Sequence, residues 1–533
     1  MLVTAILKRT FCTVLIFYLF STANSVNAQE QDWGALISGT YDAGYDSYWL
    51  WDSTRSVVFE NDTMVRPILV TLWYPAKKSP QSSVMSTGEY FEIESKKNGL
   101  EKISLAYRNY NLDALTYGLL GKEAHELDET EREIFKAYLR QPTFVMKDAP
   151  IVKNDFPVII YHQGFGASFE DNSILAQFLA RNGYIVLGSS FFAENLEDMG
   201  VDGRNQSVKD IALLIEHAAN LPSADTSKVA LVGHSGGAQA CILAKSGNID
   251  SVQLVVAIET TQEIFGIADT RWKDFTEPVL KSRRAFNVPL LALTTHLASF
   301  QLYDYLTHSD RYYITFPQSL NHNEFVSQGI DAGFLDRKIH GESSTLYDQQ
   351  DLVNYTKVNQ YILAFLNWKL GNDSSAANLF KEDSYSLNMD FETPLVTQLT
   401  KGTTNVEPYN FHSSLPITPK QTWQLARSNH PDSLVFALEY FFPRQEKNPV
   451  FNDIFAFSLI SQLLEEGDTT LSKRLFQFYK SRQIPISERF ISIGRFSVLM
   501  GRQNYAVKCI ENLLILEPNN ETAKSLLKEL RNE

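Results

Sequence analysis

The feature that most constrains how this chain folds is a serine between glycines in the middle of the sequence. Residues 229–232 are the apolar run Val-Ala-Leu-Val, which predicts a buried strand. The string Gly233-His234-Ser235-Gly236-Gly237 follows at once, and a helical pattern begins directly after it. A G-x-S-x-G string between a strand and a helix is typical of a sharp turn that strains the serine backbone and leaves no room for side chains beside it. We therefore predict that Ser235 is a nucleophile presented above the end of a strand.

Short apolar runs alternate with helical patterns on both sides of this turn. Runs of about four to eight apolar residues between helices of about 10–15 residues predict a mostly parallel sheet with helices on both faces, an α/β fold. The predicted strands lie at residues 67–74, 156–161, 184–187, 229–232, 254–258, 289–293 and 312–316. The predicted helices lie at residues 172–182, 208–219, 238–245 and 352–370.

A serine hydroxyl becomes a good nucleophile only when a base takes its proton, so a histidine is expected on a neighbouring loop. His322 lies six residues past the last predicted strand, where a fold of this kind supplies its base. We predict that His322 is the base. His296, His308 and His340 are the competing histidines, and His162 is expected to be a buried scaffold residue at a strand end.

The base in turn needs a carboxylate that orients it and stabilises its protonated form. Glu259 directly follows the strand predicted at residues 254–258 and is the first choice. The next strand ends in Thr294-Thr295-His296-Leu297-Ala298, which contains no carboxylate, and Asp304 is the nearest acid beyond it. Glu259 is therefore predicted as the acid, with Asp304 as the alternative.

The tetrahedral intermediate of acyl transfer needs hydrogen-bond donors for its oxyanion. One predicted donor is the backbone amide of Gly236, directly after the nucleophile. The other is expected in the loop His162-Gln163-Gly164-Phe165-Gly166, where two glycines let the backbone turn an amide inward. The amide of Phe165 is the predicted second donor.

The order of these motifs, strand–HQGFG, strand–GHSGG, strand–Glu259 and strand–His322, resembles the α/β-hydrolase superfamily. Over roughly residues 60–370 the chain is similar to the branch of carboxylic-ester hydrolases that contains platelet-activating-factor acetylhydrolase and dienelactone-hydrolase-like enzymes. The resemblance implies an α/β-hydrolase fold, ester hydrolysis, and an acid in the place of Glu259. The chain departs from that branch in two respects: the acid is Glu where Asp is usual, and the oxyanion loop begins His-Gln instead of His-Gly.

Two other functions remain open from the sequence. The same triad would serve a peptidase or a thioesterase. Alternatively, the hydrolase body is inactive and the protein binds a partner through the helical repeats described next.

The chain divides into a leader and two bodies. We predict a signal peptide at residues 1–28, an α/β-hydrolase domain at 29–375, a linker at 376–414 and a helical domain at 415–533. An insertion at 78–150 interrupts the alternation of strands and helices. It is expected either to pad the sheet edge or to act as a cap whose tyrosines, Tyr107, Tyr110 and Tyr117, line an acyl or aromatic pocket.

The last 119 residues are helical in pattern and weakly repetitive. Gly467 and Gly501 are 34 residues apart, and Gly494, Ala506 and Pro518 occupy positions that tetratricopeptide repeats need for close packing and turning. The sequence predicts a tetratricopeptide-like region ending in a capping helix at residues 521–530. A protein or peptide partner and packing against the hydrolase body are the two roles expected for it.

The leader and the charge bear on location and partners. Lys8 and Arg9 precede an apolar run at residues 11–20, and small residues end at Ala28, as in a cleaved signal peptide. We therefore expect a secreted or periplasmic protein with no transmembrane span after cleavage. A net charge of −14 argues against a nucleic-acid partner, and the three cysteines match neither a disulfide framework nor a zinc site. No cofactor or metal is expected, and the partner is a small-molecule ester.

Overall fold

The computed structural model describes most of the chain after the predicted leader. The described residues are 33–60, 62–93, 100–191, 203–260, 262–265, 273–295, 297–298, 300–316, 320–344, 346, 348–380, 395–402, 417–427, 431–444, 448–499 and 502–531. The predicted signal peptide, the competing base His296 and Gly501 lie outside them. None of the helices in these ranges is both long and apolar enough to cross a membrane.

One mixed sheet organises the larger part of the described chain. Its eleven strands, counted over the described residues, are β1 (Asp42–Phe59), β2 (Asp62–Ala76), β3 (Ser83–Ser86), β4 (Pro142–Lys147), β5 (Phe156–His162), β6 (Ile185–Gly188), β7 (Ala224–His234), β8 (Val252–Ile258), β9 (Leu290–Thr294), β10 (Arg311–Thr315) and β11 (Leu395–Leu399). They lie in the order β3-β4-β1-β2-β6-β5-β7-β8-β9-β10-β11. The block from β6 to β10 is parallel throughout, whereas β2 runs antiparallel to both of its neighbours.

Helices cover both faces of this sheet. In the part of the chain that carries the sheet they are α1 (Glu101–Leu120), α2 (Glu129–Leu139), α3 (Ser173–Arg181), α4 (Arg204–Ala218), α5 (Gly236–Ser246), α6 (Gln262–Phe265), α7 (Lys273–Lys281), α8 (Gln301–Asp304), α9 (Ser327–His340) and α10 (Gln349–Lys369). Helices α3 and α10 pack on one face, and α4 and α5 on the other. The predicted α/β class, a mostly parallel sheet with helices on both faces, is confirmed.

The sheet has an apolar core on each face because successive side chains along a strand point to opposite faces. In β7, Val229 and Leu231 join the core on one face, whereas Ala230 and Val232 join the core on the other. All four side chains are fully buried. A strand that is buried on both faces reads as a continuous apolar run, which is why the sequence signals β7 so clearly.

The insertion at residues 78–150 takes part in both the sheet and the helical layer. Strands β3 and β4 extend the sheet beyond β1, and α1 packs against α9. The three tyrosines do not share one pocket: Tyr107 is buried against the ring of Trp49, whereas Tyr117 is 61% exposed. Asn111 of α1 accepts a 3.2 Å hydrogen bond from the amide of Phe169, so the insertion reaches the loop that follows β5.

The segment predicted as a linker, residues 376–414, is not a linker throughout. Its Leu395–Leu399 portion forms β11, which pairs antiparallel with β10 along all five residues. Val396 and Leu399 are buried there. Strand β10 would otherwise leave a row of unpaired backbone groups at the sheet edge, and β11 satisfies them. So short a strand in a turn-rich segment gives little signal in the sequence.

The C-terminal part of the described chain is helical. Its helices are α11 (Pro419–Ala426), α12 (Pro431–Phe441), α13 (Asp453–Glu465), α14 (Thr469–Ser481), α15 (Ile486–Leu499), α16 (Gln503–Leu516) and α17 (Glu521–Leu530). A Cβ atom on Gly494 would lie only 2.9 Å from Ile510, so the missing side chain allows α15 and α16 to pack closely. Leu297, from the loop after β9, is part of this region's apolar core, and α13 contacts α6.

Candidate active site

The turn between β7 and α5 holds Ser235 in a strained conformation. Its φ of 51° and ψ of −118° lie where residues other than glycine are rarely found. The amide of Ser235 donates a 2.8 Å hydrogen bond to the carbonyl of Ile258, which fixes the turn to the neighbouring strand. A side chain at Gly233 would collide with Gly237, and one at Gly237 with the carbonyls after β5. The glycines on both sides are therefore sterically required.

The imidazole of His322 contacts the side chain of Ser235. Its Nε2 lies 3.0 Å from Oγ of Ser235, a hydrogen-bonding distance. His322 begins a short 3-10 turn, His322–Phe325, and the side chain of Glu324 caps that turn through the amide of Asn321. Burial lowers the pKa of His322, and nearby His234 lowers it further, whereas Glu259 acts in the opposite direction. A lowered pKa keeps the imidazole neutral near neutral pH, the form that a general base needs.

Glu259 lies behind His322 at the end of β8. Its side chain is almost fully buried, and Oε1 lies 3.8 Å from Nδ1 of His322. The other oxygen, Oε2, accepts a 2.5 Å hydrogen bond from the amide of Thr295, which holds the carboxylate in place. The 3.8 Å separation is an ion-pair distance for a protonated imidazole and longer than a hydrogen bond. Such contacts often tighten only when substrate is bound.

Asp304, the alternative acid, lies in another environment. Its Oδ1 accepts a 3.2 Å hydrogen bond from the hydroxyl of Tyr313, and its backbone carbonyl accepts one from Arg311. Of the two candidate acids, the one that the structure brings to His322 is Glu259.

The competing histidines that the structure describes lie elsewhere. His308 precedes β10, at the end of the strand opposite to the carboxyl edge where Ser235 lies. His340 is half-exposed at the end of α9 and pairs with Asp336 at 3.5 Å. His162 is buried and stacks on Phe191 with 3.9 Å between ring centroids, and burial lowers its pKa to about 4. Such an environment suits the scaffold role predicted for His162.

The two predicted oxyanion donors are neighbours. Gly236 begins α5, so its amide belongs to the first turn, where backbone donors lack intrahelical acceptors. A side chain at Gly236 would collide with the ring of Phe165, which shows that the loop after β5 lies against this turn. A Cβ on Gly164 would lie 3.6 Å from Cβ of Ser235. The loop therefore approaches Ser235 at backbone level, as the predicted oxyanion role requires.

Two further polar residues border the site, and sequence reasoning did not single them out. His234, inside the G-x-S-x-G string, has its Nε2 3.2 Å from the carbonyl oxygen of His322. Asp171 lies on the other side of the His234 ring, with Oδ2 3.8 Å from Nδ1. The motif alone carries no sign of these contacts, because they join residues about 60 to 90 positions apart.

Over the described parts of the chain, no group of three or more His, Cys, Asp and Glu side chains is arranged to hold a metal ion.

Comparisons with known proteins give distant likenesses among solved structures only. No protein-family model matches the chain, and no curated protein matches it. The solved structures similar to it include a ferulic acid esterase from Streptomyces cinnamoneus, at 16% sequence identity and a TM-score of 0.43. That alignment covers 64% of this chain and 93% of the esterase chain. The function must therefore be inferred from the site itself.

Proposed function

We propose that this protein is a serine hydrolase that cleaves carboxylic esters. The observation that carries the proposal is the 3.0 Å contact between Oγ of Ser235 and Nε2 of His322, with Glu259 buried behind the imidazole. A strained serine, a neutral base and a buried acid are the parts that an activated nucleophile requires. The choice of esters is supported by the resemblance of the motif order to the branch of platelet-activating-factor acetylhydrolase and dienelactone-hydrolase-like enzymes.

The reaction would proceed in two halves. Oγ of Ser235 attacks the acyl carbon while Nε2 of His322 takes its proton, which gives a tetrahedral oxyanion. The amides of Gly236 and Phe165 donate to that oxyanion. His322 then protonates the departing alkoxide, and the acyl group remains on the serine. In the second half His322 deprotonates a water that attacks the acyl carbon. The bond to Oγ of Ser235 then breaks and His322 returns the proton to Oγ, which releases the carboxylic acid and free Ser235.

Glu259 acts through the imidazole. It orients His322 and stabilises the imidazolium that forms in both halves of the reaction, without itself taking the proton. Its hydrogen bond with the amide of Thr295 leaves Oε1 as the oxygen that faces Nδ1. A glutamate reaches one methylene further than the aspartate usual in the resembling branch.

Location and partners extend the proposal. The leader at residues 1–28 supports export, so the mature enzyme would act in the periplasm or outside the cell. The C-terminal helices are proposed to be tetratricopeptide-like, with a protein or peptide as partner. The close approach of α15 and α16 at Gly494 supports the tetratricopeptide-like packing.

Hydrolysis of a short-chain p-nitrophenyl ester tests the proposal. Wild-type protein should turn the ester over, and Ser235→Ala should abolish turnover without loss of the fold. Ser246→Ala is a matched control because Ser246 is a buried serine near the end of the same helix. Retained activity in Ser235→Ala would contradict the role of Ser235 as the nucleophile. Faster cleavage of a thioester or a peptide than of the ester would overturn the ester assignment.

A further inference from the structure

A buried histidine connects the nucleophile turn to the loop that carries the base. His234 precedes Ser235 and is only 5% exposed. Its Nε2 lies 3.2 Å from the backbone carbonyl of His322, and the two imidazole rings are 4.8 Å apart between centroids. A carbonyl oxygen can only accept, so Nε2 of His234 is the donor. The contact fixes the backbone from which the imidazole of His322 projects.

A buried carboxylate connects the same histidine to the oxyanion loop, residues 162–172. Asp171 Oδ2 lies 3.8 Å from Nδ1 of His234 and accepts a 3.3 Å hydrogen bond from the amide of Gly164. Its Oδ1 accepts a 2.7 Å hydrogen bond from the hydroxyl of Tyr161. The carboxylate therefore anchors the start of the oxyanion loop next to the His234 ring.

The far end of the base loop, residues 320–326, is held by the same segment. The amide of Gln328 and the hydroxyl of Ser327 both donate to the backbone carbonyl of Asp171, at 2.9 and 3.1 Å. The amide of Ser327 also donates to Oδ1 of Asn172 at 3.2 Å. The base loop is thus tied to His234 at its histidine and to Asp171 and Asn172 just past its end.

We propose that His234 and Asp171 are positioning residues that hold the base loop and the oxyanion loop in fixed register around Ser235. The inference rests on the proposed hydrolase function and assigns a role to two residues outside the triad. The catalytic geometry needs His322 within hydrogen-bonding reach of Ser235 while the oxyanion loop faces the same acyl carbon. The two residues are suited to this task because His234 contacts the base loop, Asp171 binds the oxyanion loop and the residues just past the base loop, and the two side chains face each other.

Two variants of His234 separate the hydrogen bond from the packing of the ring. His234→Phe keeps a planar ring beside His322 but has no donor for its carbonyl. His234→Gln places an amide N–H donor near the position of Nε2. We expect kcat of the Phe variant to fall roughly ten- to a hundredfold, since small misplacements of catalytic groups have such effects. KM should change little, and the Gln variant should recover most of the lost kcat.

The pH profile gives a second readout, which is separate from the rate. The groups that face the imidazole of His322 are Glu259, His234 and the hydroxyl of Ser235. Because His234 lowers the pKa of His322, its replacement by either Phe or Gln should move the acid limb of kcat/KM to higher pH. We expect kcat to differ between His234→Phe and His234→Gln, whereas the shift of the acid limb should be the same in both variants.

His217→Phe is the matched control. This half-buried histidine also hydrogen-bonds through Nε2, at 2.8 Å from the hydroxyl of Tyr48, and it lies on α4 away from the site. We expect wild-type kcat and an unchanged acid limb. Thermal unfolding of all variants, followed by circular dichroism, separates loss of the fold from loss of positioning. If His234→Phe lowers kcat only in proportion to the folded fraction, positioning is contradicted.

Asp171→Asn tests the second member of the pair. The substitution keeps the size of the side chain. It also places an amide N–H donor opposite a group that itself donates a hydrogen bond to Asp171. We expect a lower rate of fluorophosphonate reaction at Ser235 with intact secondary structure. If the wild type reacts and the His234 and Asp171 variants react as fast, the positioning role fails while the hydrolase function stands. If the wild type itself does not react, the hydrolase function fails and the positioning role fails with it.

Discussion

Glu259 faces His322 with one carboxylate oxygen, Oε1, which lies 3.8 Å from Nδ1 of the imidazole. The other oxygen is engaged by the amide of Thr295, so the carboxylate cannot rotate freely. Glu259 has a positive φ of 44°, at the residue that directly follows β8. The backbone therefore turns at this position, and the side chain is delivered to the loop that carries the base.

Substitution of Glu259 should lower kcat strongly, whereas substitution of Asp304 should have little effect on kcat. Glu259→Gln removes the charge that stabilises the imidazolium, and we expect kcat to fall on the order of a thousandfold or more. Asp304→Asn keeps an oxygen for the hydroxyl of Tyr313 and should leave kcat within about twofold of the wild type, since a substitution away from the reacting groups has little effect. Steady-state hydrolysis of the p-nitrophenyl ester measures both. A large loss in Asp304→Asn with a small one in Glu259→Gln would reverse the assignment.

Activity should persist below the usual titration range of histidine. The base must be neutral, so kcat/KM is retained above the pKa of His322 and lost as the pH falls through it. Because burial lowers that pKa, the acid limb should have its midpoint below about 6.5, the ordinary value for an imidazole. Glu259 raises the pKa of His322, so the residual activity of Glu259→Gln should titrate at still lower pH. A pH series of kcat/KM at constant ionic strength checks this, and a wild-type midpoint above 6.5 would contradict it.

The nucleophile turn should not tolerate a methyl group. Gly237→Ala would push a Cβ into the carbonyls of His162 and Gln163, and overpacking of this kind costs about 1–3 kcal/mol. We expect a lower denaturation midpoint and loss of ester hydrolysis. Gly247→Ala, at the other end of α5, is the control because its Cβ would lie 3.3 Å from the carbonyl oxygen of Ala244, a milder contact than the 2.3 Å expected at Gly237. Equal effects on activity from both substitutions would argue against a special role for the turn.

The helical region should influence the acid through Leu297. This residue belongs to the helical region's core, and its amide lies 3.4 Å from Oγ1 of Thr295, whose own amide holds Glu259. Leu297→Ala should cost roughly 2–5 kcal/mol of unfolding free energy and also lower kcat.

Leu475→Ala provides the comparison for Leu297→Ala. Leu475 is fully buried in α14, in the same core but outside the loop that follows β9. The variant should destabilise the helical region without lowering kcat of the folded protein. Thermal unfolding together with ester hydrolysis measures both quantities. Equal kcat in the two variants would show that the contact through Leu297 does not reach the acid.

The fold class was predictable because buried parallel strands are short apolar runs, as β7 and β8 are. Strand β1 gave no such signal, since its exposed and buried positions mix and it carries several aromatic and polar residues. Strands β3, β4 and β11 are short strands at or next to the sheet edges, and their partners are distant in the sequence. Their pairing depends on tertiary contacts that no local pattern contains.

The candidate site was likewise predictable from the sequence only in part. The surroundings of Ser235 could be predicted from the G-x-S-x-G string, and the positions of His322 and Glu259 from the ends of strands that share one edge. The roles of these residues remain predictions. The contacts of His234 and Asp171 could not be foreseen, because a histidine inside the motif has no intrinsic partner. Only the folded chain brings the oxyanion loop and the base loop to it.

The reactivity of Ser235 toward a fluorophosphonate probe tests the central claim most directly, because only an activated serine reacts. The protein without residues 1–28 would be treated with the probe, digested and mapped by mass spectrometry. We predict one adduct, on Ser235, that is absent in Ser235→Ala and forms much more slowly in His322→Gln. Failure of the wild-type protein to react, or an adduct on another serine that persists in Ser235→Ala, would contradict the proposed triad.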